Sequence, residues 1–334
     1  MPAVERLEFR VMGSDATVVA VGGRPGLTQR ARDRLDRLED LWSRFRPDSE
    51  VSRLNAAGGR PLEVSPETIH LVGTAVEAWS VTRGAYDPTV LGDVLRAGYT
   101  VSFESLRAVP IGPLAHIELR IGAGGIGVDP VARTVELPPG VGFDPGGIGK
   151  GLAADMVVAE LMAAGAQGAC VNVGGDLRVC GTPPDGVPGS GWGIGVDDPF
   201  ADGSIAVLGL ADGGVATSSR LLRRWTGAGG KPAHHLIDPR TGAPADSGLA
   251  SVTVVAAAAW QAEMLSKAVF VTGATAGAVL LDDFGAAGLL VTDDGSVLKT
   301  ANLASFLSGP LRGASDLSGP LRAAWDLGRE QVTA

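Results

Sequence analysis

Cysteine is nearly absent from this 334-residue chain, which has only Cys170 and Cys180. The two form neither a CxxC pair nor a metal-ligand cluster. Disulfide-stapled and zinc-ribbon architectures are therefore excluded, and both read as small core residues of a protein in a reducing compartment. Long apolar runs are also missing: no uncharged stretch approaches the length that spans a bilayer. The opening MPAVERLEFRVMGSDATVVAV has neither an apolar signal core nor a following cysteine that could carry a lipid. The expectation is a soluble, cytoplasmic protein with no transmembrane segment. Positive charge is in deficit as well. Lys and Arg number 28 against 37 Asp and Glu, a net charge of -9 with both signs mixed along the chain, so non-specific nucleic-acid binding is excluded.

Glycine is abundant, at 49 residues without a collagen-like period or low-complexity tract. The most informative cluster runs from 140 to 181, GVGFDPGGIGKGLAADMVVAELMAAGAQGACVNVGGDLRVCG. Gly146, Gly147, Gly149 and Gly151 leave space for backbone N–H groups to approach a ligand, and Lys150 adds positive charge. Leu152, Met156, Ala159 and Ala163 keep helical spacing with Gly165 as C-cap, so a helix N-terminus points at the same place. ACVNV then reads as a buried strand and VGGD as a second glycine turn. Two turns flanking one helix suggest an anion site.

Two familiar nucleotide motifs are excluded. Gly122, Gly124 and Gly127 satisfy GxGxxG, but the continuation VDPVARTVEL is strand-like where the dinucleotide fingerprint must open a helix. Lys150 is not a P-loop lysine: Asp144 stands where the first glycine belongs, and Gly151 where Ser or Thr must bind the metal.

Along the rest of the chain, residues 5–22 read as a hairpin around Met12-Gly13-Ser14. Leu27, Ala31, Leu35, Leu38, Trp42 and Phe45 mark an amphipathic helix, stopped by Pro47-Asp48, and SEVSRLN reads as a short polar segment. Ser65-Pro66 opens a second helix. Two strands, HIELRI and ARTVEL, are expected within 116–137. SIAVLGLADGGVATSS reads as two strands joined by Asp212-Gly213-Gly214, and HHLIDPRTGAP as one tight turn. SVTVVAA is a strand, AWQAEMLSKAVFVTG a helix, and 287–299 a hairpin around Asp293-Asp294-Gly295. The segment LSGPLR occurs twice, at 307–312 and 317–322. The expectation is an α+β fold, mostly antiparallel β-sheets with packed α-helices. It should span 1–305, with a C-terminal tail over 306–334.

An ordered series of motifs resembles the ApbE-type FAD:protein FMN transferases. Met12-Gly13-Ser14 is similar to that family's MGT. FRPDSEVSRLN (45–55) resembles its F-x-P-x-S-x-[LIV]-S-x-[LI]-N, and AYDPTV (85–90) its [AG]-[FY]-D-P-T-V. DPGGIGKGLAAD (144–155) and VNVGGDLR (171–178) match its lysine turn and GGD strand, and HLIDPRTG (235–242) its H-[IL]-[IV]-D-P-[RK]-T-G.

The resemblance implies an enzyme that binds FAD, cleaves its pyrophosphate and transfers FMN to a threonine hydroxyl of an acceptor protein, releasing AMP. Such chemistry calls for an anion clamp, usually with Mg²⁺, and a route for the acceptor's proton. His235, Lys150 and Asp176 are the implied catalytic residues. Met12, Tyr86, Asp87, Gly147, Gly149, Lys150, Asp155, Gly175 and Thr241 are the implied cofactor-binding ones. Asp176 reads equally well as a group holding the glycine turn. Asp238 and Thr241 read from their setting as shaping the turn that presents His235.

At the metal site the chain departs from the family. Gly149, Glu263 and Lys267 occupy the implied metal positions, and the helix that usually reads A-D-A-L-S-T-A-L here reads AEMLSKAV (262–269). Glutamate keeps the carboxylate, but lysine replaces a threonine oxygen with a cation that cannot ligate while protonated. Glu before Lys at i,i+4 is also the favourable order for an ion pair. Three readings stay open. Glu263 binds Mg²⁺ with Lys267 turned away, Lys267 supplies the charge itself, or the chain binds FAD without transferring FMN. Hydrolysis of FAD to FMN and AMP is a further alternative.

Overall fold

The computed structural model describes residues 2–99, 117, 121–184, 191–227, 232–309, 311 and 314–316. Strands β1 (Val4–Val11) and β2 (Ser14–Val21) pair antiparallel around Met12, at φ 52°, and Gly13, at φ 65°. Two successive left-handed residues match the twist of a tight hairpin. Met12 adopts that conformation although a β-carbon disfavours it.

Helices α1 (Leu27–Trp42) and α2 (Glu50–Ala56), strand β3 (Leu62–Glu63) and helices α3 (Pro66–Val81) and α4 (Leu91–Arg96) follow. Helix α1 buries Leu27, Ala31, Leu35, Leu38 and Trp42, as their spacing predicts, but it ends at Trp42 and leaves Phe45 40% exposed. SEVSRLN, expected as a short polar segment, contains most of α2. Ser49 caps this helix by accepting from Ser52 N–H, and Val51 and Leu54 are buried, so cap and tertiary burial hold a helix too short to stand alone.

Strands β4 (Gly127–Asp129) and β5 (Thr134–Glu136) join β3 in a three-stranded sheet. The GxGxxG segment thus enters a strand, not a helix, in agreement with its rejection as a dinucleotide motif. Most of the expected HIELRI strand lies outside the described residues.

Next come α5 (Gly149–Ala163), β6 (Gly168–Val173), β7 (Asp176–Gly181), β8 (Trp192–Asp197), β9 (Ser204–Leu210) and β10 (Asp212–Ser219). The expected hairpin across Asp212-Gly213-Gly214 does not form. β9 pairs with β8 in a separate ribbon, whereas β10, already begun at Asp212, pairs with β7 and β15. The remaining elements are β11 (Arg224–Thr226), β12 (Pro232–His234), β13 (Ile237–Asp238), β14 (Ala243–Pro244), β15 (Leu249–Ala256) and α6 (Ala259–Asp283). After them run β16 (Ala287–Thr292), β17 (Val297–Lys299) and β18 (Ala314–Asp316).

The main sheet has nine strands in the order β1-β2-β6-β7-β10-β15-β16-β17-β18, antiparallel throughout except at β17–β18. The fold is α+β and mostly antiparallel, as expected. Residues 314–316 of the expected tail supply its edge strand, and the second LSGPLR copy lies outside the described residues.

Both faces of the middle of the sheet are covered, so β2, β15 and β16 are buried almost throughout, whereas edge strand β1 alternates exposed and half-buried residues. On β2, Val18 and Ala20 face a core shared with α1, α5 and α6, while Val19 and Val21 face the β8–β9 ribbon with Trp192, Ile194 and Leu208. Helix α6 is long and apolar enough to cross a membrane by composition. Here it packs on β10 and β15, with Met264, Leu265, Val269 and Phe270 wholly buried. It is kinked at Gly273. The site lies where α5 and α6 begin, near the β1–β2 turn.

Candidate functional site

The entry to α5 is held from afar. Asn55 of α2 both donates to Phe143 O (3.0 Å) and accepts from Phe143 N–H (2.7 Å). Asp144 accepts from Gly146 N–H at 2.8 Å and faces Arg44 at 3.6 Å. Residues 145–147 make one tight helical turn, and α5 starts at Gly149. Two glycines permit close approach. A β-carbon on Gly151 would stand 2.5 Å from the carbonyl oxygen of Ala259, so glycine lets α5 and the start of α6 touch. One on Gly147 would press on Tyr86 and Lys267.

This contact creates a compact charged group. Glu263 of α6 is completely buried. Its Oε2 accepts from Gly151 N–H at 2.8 Å, and its Oε1 faces both Lys150 Nζ and Lys267 Nζ at 3.3 Å. Lys150 also pairs with Asp176 Oδ2, on β7. Burial alone would raise the Glu263 carboxyl; the two ammonium groups and the Gly151 N–H instead hold it below its ordinary range. Burial lowers the Lys150 ammonium to about 8, with Lys267 and Arg223 adding to the shift and Glu263 opposing it.

The lysines open on a cavity of about 480 Å³, within the range of small-molecule sites. In a chain of net charge -9, its wall carries six basic side chains (Arg10, Arg44, Arg46, Lys150, Arg223 and Lys267) against three carboxylates. At one end the Arg44 guanidinium lies 4.2 Å from the Phe45 ring centroid and 4.6 Å from that of Tyr99. Among the described residues five buried side-chain atoms lack a hydrogen-bond partner. Three of them, Trp42 Nε1, Tyr86 Oη and His235 Nδ1, belong to residues of this wall. Unpaired buried polar atoms are costly, and their gathering here fits a cavity that receives polar ligand groups. Burial, then the charges of Arg223 and Lys267, push the His235 imidazolium well below its ordinary range, so the ring is neutral at pH 7.

Met12, Tyr86, Asp87, Gly147, Gly149, Lys150, His235 and Lys267 all line the cavity. Asp176 and Glu263 do not line it; they stand behind the lysines and orient them. Three residues expected at the cofactor have other tasks. Both Asp155 oxygens accept from the first N–H groups of α6, on Ala259 and Trp260 (2.9 Å each), so Asp155 caps that helix from α5. Burial raises its carboxyl to about 6, against those two bonds and Arg178. Gly175 serves the β6–β7 turn, at φ 91°, and its N–H donates to Asn172. Thr241 is exposed on the β13–β14 turn and accepts from Ala243 N–H. His234 likewise builds a turn, bonding to Ala245 O and accepting from Leu236 N–H.

Sequence reasoning missed Trp42, Arg44, Tyr99 and Arg223 as parts of the wall. Arg223 Nη2 donates to Ser14 Oγ at 3.0 Å, next to the Met12-Gly13 turn. A local signal existed only for Arg44, which lies among the aromatics Trp42 and Phe45.

A divalent cation over Gly149, Glu263 and Lys267 does not fit the side chains present. Both Glu263 oxygens are engaged by N–H donors, and a protonated lysine has no lone pair to offer. Among the described residues no three of His, Cys, Asp and Glu gather as a metal site.

The family model described as the ApbE family matches residues 12–290. The chain is 31% identical over 270 residues to the FAD:protein FMN transferase of Haemophilus influenzae, covering 78% of this chain and 77% of that protein. Its fold is similar to the ApbE protein of Thermotoga maritima, with TM-score 0.81 and 28% identity over 92% of this chain and all of that one. It also resembles the apo flavinyl transferase ApbE of Pseudomonas stutzeri, with TM-score 0.77 and 26% identity over 92% and 98% of the two chains.

Proposed function

The chain belongs to the ApbE family, and on that footing we propose that it transfers FMN from FAD to a threonine hydroxyl of an acceptor protein and releases AMP. The observation that carries this reading is the meeting of Lys150, from α5, with Lys267, from α6, at the wall of a nucleotide-sized cavity.

The acceptor Oγ attacks the phosphorus on the FMN side of the pyrophosphate. An O–P bond forms as the bond from that phosphorus to the bridging oxygen breaks, and the electron pair leaves with AMP. The N–H donors of Lys150 and Lys267 and the Arg223 guanidinium face the phosphate oxygens on which charge develops. Being fixed beforehand, they need no reorganisation during the reaction. Asp176 and Glu263 position the two lysines. The threonine proton passes to the neutral imidazole of His235, whose Nδ1 has no partner among the described residues. Met12, Tyr86 and Asp87 flank the bound FAD, and the charge in this scheme comes from the chain's own cations.

The test incubates the purified chain with FAD and a threonine-bearing acceptor domain that a related transferase is known to modify. Equal amounts of covalent flavin and AMP are expected. Free FMN with AMP and no covalent flavin would make the chain a hydrolase, and bound FAD without AMP a binding protein; either result overturns the proposal.

A further inference from the structure

Lys267 brings a second ammonium to a carboxylate that already has two other N–H donors. Glu263 is completely buried and needs compensation, which the Gly151 N–H and Lys150 already begin to supply. Lys267 joins them with 17% of its side chain exposed, close to the 14% of Lys150; it lies along the bare backbone of Gly147 and reaches the cavity beside Lys150.

The arrangement is balanced before any ligand arrives. Lys150 and Lys267 face Glu263 and Asp176, two cations against two carboxylates, and this makes burial of the group tolerable. Arg223 adds a further positive charge to the wall. An ammonium has three N–H donors. Lys267 spends one on Glu263, its partner among the described residues, so others are available to phosphate oxygens. A divalent cation would have to displace at least one ammonium from Glu263 to bind there. The carboxylate that might recruit a metal is the group that holds the lysines.

We propose that Lys150 and Lys267, gathered on Glu263, take the place of a divalent cation on the FAD pyrophosphate, and that this chain binds and cleaves FAD without metal. The inference rests on the FAD reading above and adds how its charge is met. Lys267 contacts phosphate oxygens in place of an ion and stays in place through the reaction, so the bonds made and broken are those already written.

The experiment uses the full chain, treated with EDTA and desalted. FAD binding is followed by flavin fluorescence in EDTA and in millimolar MgCl2, and Mn²⁺ binding to the FAD complex by electron paramagnetic resonance. The expected FAD affinity is the same within about threefold in both buffers, with no stoichiometric Mn²⁺. Lys267→Met should weaken FAD binding about tenfold or more in both buffers. Lys267→Thr, which restores an oxygen, should weaken it in EDTA, recover with MgCl2 and bind one Mn²⁺. A wild-type affinity that rises about tenfold or more with MgCl2 overturns the proposal. So does one Mn²⁺ per wild-type complex, or a folded Lys267→Met variant that binds FAD like wild type. If neither variant folds, the wild-type comparison decides alone. Absence of FAD binding in either buffer sinks this inference together with the FAD reading. Metal-independent FAD binding with AMP release in EDTA but no covalent flavin on the acceptor sinks only the transferase reading, whereas binding without AMP in EDTA overturns metal-free cleavage.

Discussion

The ring of Tyr86 lies against the bare Cα of Gly147, so close that a β-carbon there would stand 2.5 Å from Tyr86 Cε2. Tyr86 is 4% exposed and packed into the main core, so it cannot retreat far. The same β-carbon would stand 3.2 Å from Lys267 Cδ, pushing that side chain from its place at the cavity. Overpacking of this kind costs about 1–3 kcal/mol. Gly147→Ala should therefore lower the thermal midpoint, and by moving Lys267 from the cavity it should weaken FAD binding by about fivefold or more. A fluorescence titration that finds wild-type affinity would show that the contact has slack.

Gly151→Ala should fail differently. Its β-carbon would meet backbone, the Ala259 carbonyl oxygen at 2.5 Å, which cannot rotate out of the way. Helices α5 and α6 must separate, and the Gly151–Glu263 bond goes with them. We expect the thermal midpoint to fall by several degrees even without FAD, consistent with a loss of about 2 kcal/mol or more. An unchanged midpoint would contradict this close packing of α5 on α6.

The pH dependence of FAD binding should follow Lys150. Its ammonium loses its proton at about 8, well below its ordinary 10.5, chiefly because it is buried. Below that pH the charge is present and FAD binds fully. Above it the charge is lost, and affinity falls toward about tenfold per pH unit. Bound pyrophosphate favours the charged form, so the fall levels off at the higher value reached in the complex. The linkage to folding has the opposite sign. Between about 8 and 10.5 the unfolded chain holds the Lys150 proton and the folded one does not, so this group's contribution to free-protein stability rises with pH. Fluorescence titrations from pH 6.5 to 9.5 check the first point. Lys150→Arg should flatten the profile, and a profile equally steep in that variant would assign the titration elsewhere.

Asp155 separates a helix cap from a ligand contact. Because its two oxygens accept the first N–H groups of α6, Asp155→Ala should cost about 1–2 kcal/mol of stability. FAD affinity of the folded variant should stay within about threefold of wild type, a change of well under 1 kcal/mol. Melting curves and titrations on the same sample decide. Loss of affinity without loss of stability would return Asp155 to the cofactor.

Signals carried by neighbouring residues were legible in the sequence. The glycine turn before α5 placed Lys150, and the i,i+4 spacing placed Glu263 and Lys267 on one face of α6. What was illegible depends on residues far apart. Trp42 and Phe45 share a helical stripe on paper. The helix in fact ends at Trp42, and Arg44 comes to face Asp144 and Tyr99, partners that nothing near it announces. Asp212-Gly213-Gly214 has the chemistry of a hairpin turn, but pairing of β10 with both β7 and β15 outweighs it. SEVSRLN lacks helical length. Its capping serine, its buried Val51 and Leu54, and the grip of Asn55 on Phe143 make it a helix in context. The motif resemblance likewise marked Asp155 and Gly175 without distinguishing residues that build the site from residues that touch its ligand.

Tyr86 offers a test in which stability and binding move apart. Its hydroxyl is buried without a partner among the described residues, and burial, reinforced by Glu263, Asp144 and Asp87, keeps its ionisation well above the ordinary range. The group is therefore a neutral donor whose hydrogen-bonding capacity is unspent. Removing such a hydroxyl relieves a desolvation cost, so Tyr86→Phe should leave the free protein as stable as wild type or more so. If FAD supplies the missing partner, the same change removes one hydrogen bond of about 0.5–1.5 kcal/mol, and affinity should fall by about two- to tenfold. The ring remains against Gly147, so shape is conserved and the difference isolates the hydroxyl. Melting curves with and without FAD, read beside fluorescence titrations, separate the two effects. A variant less stable without FAD but unchanged in affinity would mean that the hydroxyl serves the fold, and that FAD does not reach it.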